Sequence, residues 1–279
     1  MSKYDDEAIN TARDYYNSED ADNFYFHVWG GEDLHVGIYK DDEEPIFDAS
    51  RRTVQRMAER LTTLSKDSRV LDVGGGYGGS MRHLARTVGC HCTVLNLSEV
   101  ENERDRKMNA EQGLDHLIDV VDGAFEHIEF PDDSFDIVWS QDAILHSAER
   151  EKVLTEVARV LKPGGEFVMT DPMAADDCPQ EGVLDPILER IHLPSLGHPS
   201  FYIATAEKLG MKDMGFENHS HQLPRHYGRV RAELTRMAPE LEGKVSEAYI
   251  ERMKTGLGNW VNGGNNGHLA WGIFLFRKQ

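Results

Sequence analysis

Cysteine is scarce in this chain. Cys90, Cys92 and Cys178 are too few and too odd in number for a disulfide framework. Cys90 and Cys92 flank His91 in GCHCTVLNL, but strand alternation turns the imidazole to the face opposite both thiols, so buried free thiols are expected and no metal centre. Long apolar runs are missing as well. No segment approaches the roughly eighteen residues of a membrane span, and the opening MSKYDDEAINTARDYY has no apolar core of signal-peptide length, which predicts a soluble, cytoplasmic protein. Positive charge is the third shortage. Against 49 Asp and Glu stand 30 Lys and Arg, and the resulting net charge of -19 repels phosphate backbones and anionic lipid surfaces. Neither nucleic acid nor a membrane is expected as a partner. Such an acid surplus suits high salt, where the Debye length shrinks to roughly 3 Å at 1 M and self-repulsion is screened.

What the chain does have is a globular composition, with 39% hydrophobic side chains in 279 residues, enough for one substantial core. Strand and helix patterns alternate. RVLDV (Arg69 to Val73) is a buried strand and GSMRHLARTVG a helix that Gly89 stops; CTVLNL is the second strand, followed by the polar helix SEVENERDRKMNAEQG, which Ser98 caps. HLIDVVDG and FDIVWS are the third and fourth strands, AEREKVLTEVARVLKPGG is an amphipathic helix closed by Pro163 and Gly164, and EFVMTDP is the fifth strand. This order predicts an α/β fold with a Rossmann-like, doubly wound sheet. After Pro172 the alternation fails. AADDCPQEGVLDPILERIHLPSLGHPS reads as an irregular, partly helical insertion, TAEKLGMKDMG as a short helix, FENHSHQL as a sixth strand, RHYGRV to GNWV as a long helical segment broken at Pro239, and LAWGIFLFRKQ as a seventh strand. Two closing strands outside the βαβ rhythm predict an antiparallel edge pair.

The first strand runs into VLDVGGGYGG, where Gly74-x-Gly76-x-x-Gly79 satisfies the dinucleotide fingerprint. Taken alone that pattern also fits a plain strand-to-helix turn. Its neighbours are more specific. Asp72 stands where a carboxylate orders the loop or meets the amino group of an amino-acid-bearing ligand. The ribose-reading acid of a nicotinamide site is missing at the end of the second strand, where Asn96 stands instead. The third strand ends in Asp122-Gly123-Ala124-Phe125, a carboxylate and a ring suited to the amino edge and the face of an adenine. As a set, LDVGGGYGG, VVDGAF, PDDSFDIVWS, LKPGGEF and LAWGIFLFRK resemble the class I S-adenosylmethionine-dependent methyltransferases, which have a seven-stranded sheet with an antiparallel last strand. The resemblance implies that Gly74 and Gly76 approach the methionine portion, Asn96 and Leu97 the ribose, and Asp122, Gly123, Ala124 and Phe125 the adenine, with Gln141 also against the cofactor. Asn96 departs from the acid common in that family.

Two further stretches bear on the acceptor. DNFYFHVWGGEDLHVGIY, residues 22–39, is aromatic in a chain where aromatics make up 9%. Phe24 and Phe26 read as core, whereas the polar tips of Tyr25, Trp29 and His35 favour a wall that closes over a ligand, with His35 on the cofactor side. In SQDAILHS, a helix beginning near Ser140 stacks Asp142 and His146 on one face at the carboxyl edge of the sheet. These stretches look like the small-amine N-methyltransferases, including the phosphoethanolamine enzymes. Together with HYGRVRAEL they are most similar to the sarcosine/dimethylglycine N-methyltransferases that make glycine betaine, a compatible solute, and this resemblance spans the chain. It implies a division into an N-terminal active-site cover (1–50), a cofactor-binding core (51–172), and a substrate lid with the terminal strands (173–279).

Methyl transfer from a sulfonium to an amine is an in-line displacement that needs alignment, a free lone pair and exclusion of water. His146 or Tyr16 is the candidate to take the ammonium proton, and Asp142 to hold the ammonium on arrival. Arg225, with Tyr227 and His226 beside it, is the candidate for the substrate carboxylate, and Trp29 and Tyr25 for a cation-π contact with the quaternary product. The alternatives are another acceptor (phosphoethanolamine, glycine or a sterol-like lipid), an NAD-dependent dehydrogenase on the same glycines, or a non-catalytic S-adenosylmethionine-binding protein. A small amino-acid substrate and a monomer or homodimer are expected. His219 and His221 share a face if HSH lies in a strand, but two imidazoles without a third ligand imply no metal requirement.

Overall fold

The computed structural model describes residues 7–179, 182–191, 193 and 195–279. Three helices precede the sheet: α1 (Glu7–Tyr16), α2 (Glu19–Val28) and α3 (Ile46–Arg60). The Ser18 side chain accepts from the Ala21 N-H to start α2, and Glu19, Asp20 and Asp22 place negative charge at its positive end. The alternating body follows as β1 (Arg69–Val73), α4 (Gly79–Thr87), β2 (His91–Asn96), α5 (Glu99–Glu111), β3 (Ile118–Asp122), β4 (Phe135–Gln141), α6 (Arg150–Val160) and β5 (Leu161–Thr170). The remainder comprises β6 (Met173–Ala174), α7 (Asp185–Ile191), α8 (Pro199–Lys208), β7 (Met211–Asn218), α9 (Gln222–Met237), α10 (Glu247–Asn265), β8 (Leu269–Ala270) and β9 (Gly272–Lys278). Among the described residues no helix is long and apolar enough to cross a membrane.

Seven strands form one sheet in the order β3-β2-β1-β4-β5-β9-β7, parallel from β3 to β5, with β9 antiparallel to both β5 and β7. The doubly wound sheet and its antiparallel closing pair are as the sequence predicts. Period-two alternation builds both faces. Leu71, Val138, Phe167, Met169, Phe274 and Phe276 pack with α6 and α8 on one face, while Val70, Ile137, Val168, Ile273 and Leu275 pack with α3 and α4 on the other. Cys90 and Cys92 are buried and His91 is exposed, as alternation requires. A third cluster draws on α2, α9 and α10 together with Tyr77, Leu145 and Ala174, residues just beyond the carboxyl ends of β1, β4 and β5. It caps the sheet edge where ligands bind in such folds.

Three boundaries differ from the sequence reading. Helix α6 ends at Val160, and LKPGGEF belongs to β5 because Leu161 turns extended and pairs with Phe135. The extra residues Lys162 to Gly165 are absorbed by a bulge between the Phe135 and Ile137 pairings. The TAEKLGMKDMG stretch is also divided, since the helix stops at Lys208 and Met211 already pairs with Lys278. The sixth sheet strand is therefore Met211–Asn218, and HSHQL turns into α9. His219 and His221 do not share a strand face; His219 Nε2 instead meets Glu217 Oε1 at 2.7 Å.

Candidate active site

The glycine loop after β1 is shaped by what lies on each side of it. Gly74 has φ +80°, and a Cβ there would come 2.4 Å from Ala143 Cβ, so a side chain would meet both backbone strain and a wall. Asp72 is buried beneath the loop, where a Cβ on Gly75 would stand 2.9 Å from its Oδ2. It supports the turn and is absent from the cavity lining, so the expectation that it meets the ligand is corrected. Desolvation raises its pKa well above the usual carboxylate range.

Above the loop lies a cleft of about 830 Å³, partly open to solvent, lined by Gly74, Gly76, Asn96, Leu97, Gly123, Ala124, Phe125, Gln141 and His35 among others. These sequence-predicted cofactor residues are thus gathered from four strand ends and the N-terminal segment. Glu101 joins them unpredicted. Its buried carboxylate accepts from the Asn96 side-chain amide at 2.9 Å, and burial pushes its pKa up to about 7. Glu101 stands in the first turn of α5, where Ser98-x-x-Glu101 has the spacing of a capping box, and it brings a carboxylate beside Asn96 at the end of β2. Asp122 does not line the cleft. Its carboxylate accepts from Asn102 at 2.7 Å and pairs with Arg106 at 3.1 Å, tying β3 to α5, which corrects its assignment to the adenine edge.

The same cleft contains buried polar atoms with no partner among the described residues. The Gln141 side-chain oxygen accepts from Trp139 Nε1 at 2.9 Å, and its Nε2 is left unpaired. His35 Nδ1 is likewise unpaired, and desolvation lowers the imidazole pKa to about 3, so the ring is neutral. Unmet groups of this kind, beside bare glycine backbone and a carboxylate, fit a polar, ribose-bearing cofactor.

A second cavity of about 910 Å³, also partly open to solvent, lies against the first. Tyr15, Tyr16, Tyr25, Trp29, Tyr227 and Trp260 supply its aromatic walls. No helix begins at Ser140, contrary to expectation. Strand β4 continues to Gln141, Asp142 takes a left-handed φ of +51°, and a single 3-10 turn covers Ile144–His146. Asp142 and His146 nonetheless line both cavities. The Asp142 carboxylate accepts from the Val36 N-H at 2.7 Å, the Thr170 hydroxyl at 2.8 Å and the Trp271 indole at 2.8 Å, and desolvation raises its pKa to about 6. These bonds hold the left-handed backbone in place. His146 Nε2 lies 2.8 Å from the Tyr16 hydroxyl. Helix α1, which carries Tyr16, is fixed to the start of α5 by Arg13 on Glu99, with the Ser98 hydroxyl donating to Asn17.

Arg225 is placed elsewhere. Its Nε pairs with Asp42 at 2.7 Å and its Nη1 donates to the Tyr39 carbonyl, and it does not line the cavity. His226 is fully buried, its Nδ1 accepting from the Gly37 N-H and lying 2.9 Å from the Tyr39 hydroxyl. Only Tyr227 of that trio reaches the cavity, stacked on Trp260 at 4.9 Å between ring centroids. Trp260 itself is a lining residue that sequence reasoning missed, because an aromatic on a long amphipathic helix looks like any core position.

The two cavities share Tyr16, Tyr25, Leu34, Asp142 and His146. The two cavities therefore adjoin along these side chains.

Comparison with known proteins agrees with this geometry. The sequence profile of the methyltransferase domain matches residues 71–169. The sarcosine/dimethylglycine N-methyltransferase of Halorhodospira halochloris is 65% identical over 99% of this chain and 99% of its own length. That of Aphanothece halophytica is 51% identical, with 98% of each chain covered. A solved structure from Galdieria sulphuraria, provisionally assigned as a sarcosine dimethylglycine methyltransferase, superposes with a TM-score of 0.90 at 41% identity, covering 95% of this chain and 99% of that one.

Proposed function

Because the chain belongs to the sarcosine/dimethylglycine N-methyltransferases, we propose that its two adjoining cavities divide the reaction between them, the glycine-loop cleft taking the methyl donor and the aromatic chamber the amine. The enzyme transfers methyl groups from S-adenosylmethionine to sarcosine and dimethylglycine, yielding glycine betaine. The shared wall of Tyr16, Tyr25, Leu34, Asp142 and His146 carries this division, since in-line displacement needs donor and acceptor across one short gap.

When bound, S-adenosylmethionine supplies a methyl group activated on a sulfonium. Asn96 and Glu101 take the ribose hydroxyls, Gly123, Ala124 and Phe125 border the base, and His35 and Gln141 offer their unpaired atoms to the polar end of the cofactor. The acceptor arrives as an ammonium, whose proton blocks the lone pair. His146, hydrogen-bonded to Tyr16, accepts that proton. Asp142, its carboxylate accepting from neutral donors, stays anionic above its raised pKa and, lining both cavities, attracts the ammonium in the chamber. The rings of Tyr25, Trp29 and Tyr227 exclude water and face the quaternary nitrogen, which no longer has an N-H.

The three-part division into cover, cofactor core and lid follows the same logic, since Tyr16 and Tyr25 come from residues 1–50 and Tyr227 and Trp260 from residues 173–279. We place the enzyme in the cytoplasm as a monomer or homodimer, and its net charge of -19 argues against a nucleic-acid partner. Mass spectrometry of separate reactions with glycine, sarcosine, dimethylglycine and phosphoethanolamine tests the assignment. Betaine should form from sarcosine and dimethylglycine. Methylation of phosphoethanolamine with neither amino acid modified would overturn it.

A further inference from the structure

Glycine-derived acceptors carry a carboxylate at the end remote from the reacting nitrogen, and the chamber holds no Lys or Arg among the described residues that line it. The chain has four tryptophans. Two lie outside the chamber lining and satisfy their indole N-H groups within the protein, Trp139 on Gln141 at 2.9 Å and Trp271 on Asp142 at 2.8 Å. The other two, Trp29 and Trp260, line the chamber, and the Nε1 of each is buried with no acceptor among the described residues. Buried donors are normally paired, and an exception calls for a missing partner. Both indoles contact Tyr227, which meets Trp29 edge-on at 6.0 Å and stacks on Trp260 at 4.9 Å.

We propose that Trp29 and Trp260 bind the substrate carboxylate through their indole N-H donors, in the role otherwise given to a guanidinium. The proposal rests on reading the chamber as the acceptor site. An oxyanion is the acceptor chemistry that indole donors recognise, since indole nitrogen donates and does not accept, and bonds to an ionised acceptor are the stronger kind. The substrate is then a zwitterion stretched between unlike ends, its ammonium toward Asp142 and its carboxylate toward the indoles. Neutral donors in a desolvated site carry no net charge for salt to screen, so carboxylate recognition should be insensitive to ionic strength.

Trp29→Phe and Trp260→Phe keep a ring and remove the N-H. Each should raise the KM for dimethylglycine by about 10-fold, leave S-adenosylhomocysteine affinity within twofold, and raise the KM for N,N-dimethylethylamine, a tertiary amine without a carboxylate, by no more than about twofold, the loss expected where a phenyl ring replaces an indole beside the cation. An unchanged KM for dimethylglycine in both variants, or an equal rise for the carboxylate-free amine, overturns the proposal. If either variant fails to fold, the wild-type enzyme decides. Titration with betaine, followed by the four indole N-H resonances, should move Trp29 and Trp260 and leave Trp139 and Trp271 in place. Saturable betaine binding with Trp29 and Trp260 unmoved overturns it equally. A wild-type enzyme that methylates neither sarcosine nor dimethylglycine would instead sink the assignment of the chamber itself.

Discussion

The cofactor cleft and the aromatic chamber are built by opposite strategies. The cleft is made from strand ends that are consecutive in the sheet, Gly74 and Gly76 after β1, Asn96 after β2, Gly123 to Phe125 after β3 and Gln141 at the end of β4. Each is positioned by the parallel ladder next to it. The chamber draws Tyr15 and Tyr16 from α1, Tyr25 from α2, Tyr227 from α9 and Trp260 from α10, so its shape depends on helices packing over the sheet edge from both ends of the chain. Backbone fixes the first and side-chain packing fixes the second, which is why one fold can keep its methyl donor and exchange its acceptor.

That contrast predicts which measured quantity each substitution moves. The largest effect is expected at the shared wall. Tyr16→Phe removes the hydroxyl from His146 and should lower kcat about 100-fold, displacing the acid limb of the pH-rate profile while S-adenosylhomocysteine binding changes little. A normal kcat with an unmoved profile would exclude the pair from proton transfer.

A smaller effect is expected inside the cleft. Glu101→Gln should weaken S-adenosylmethionine binding about 10-fold. If ribose hydroxyls donate to the ionised carboxylate, wild-type affinity should increase as pH rises through about 7 and level off above it, whereas the Gln variant should show no such step. The unliganded fold responds in the opposite sense. A carboxyl whose folded pKa is raised contributes stability below its unfolded pKa of about 4.5, and that contribution is lost as pH rises through about 7. At pH 8 the Gln variant should therefore melt higher than wild type without ligand. Calorimetric titration and thermal melts at pH 6 and 8 check both directions.

The smallest effect should be at Arg225, where Ala should leave the KM for dimethylglycine within twofold, because this guanidinium is engaged by Asp42 outside the chamber. A tenfold rise would bring it back into carboxylate binding.

Legibility in the sequence divides along the same line. The run RVLDVGGG announces a strand and its glycine turn within a few residues, so β1 and the cleft floor could be read locally. Asp142 and His146 were recognisable by spacing, although the chain reaches them through a left-handed residue and a 3-10 turn instead of a helix. Where function depended on which distant group competes for a side chain, sequence was silent. Nothing near Arg225 indicates that Asp42, 183 residues away, will take it. Asp122 likewise gave its carboxylate to Asn102 and Arg106, and Glu101 was concealed by its spacing as a helix cap. The missing acid at Asn96 was the one signal pointing to Glu101, for a ribose site lacking an acid on the strand can take one from the following helix.

The most direct test measures both sites on two variants side by side, Glu101→Gln in the cleft and Tyr227→Leu in the chamber, with calorimetry for S-adenosylhomocysteine and steady-state kinetics for dimethylglycine. The effects should cross: Glu101→Gln should raise the cofactor Kd and leave the dimethylglycine KM near wild type at saturating cofactor. Tyr227→Leu should raise that KM about fivefold, the scale of one cation-π contact, and leave the cofactor Kd unchanged. Equal losses of both affinities in both variants would contradict a divided site and indicate a single pocket.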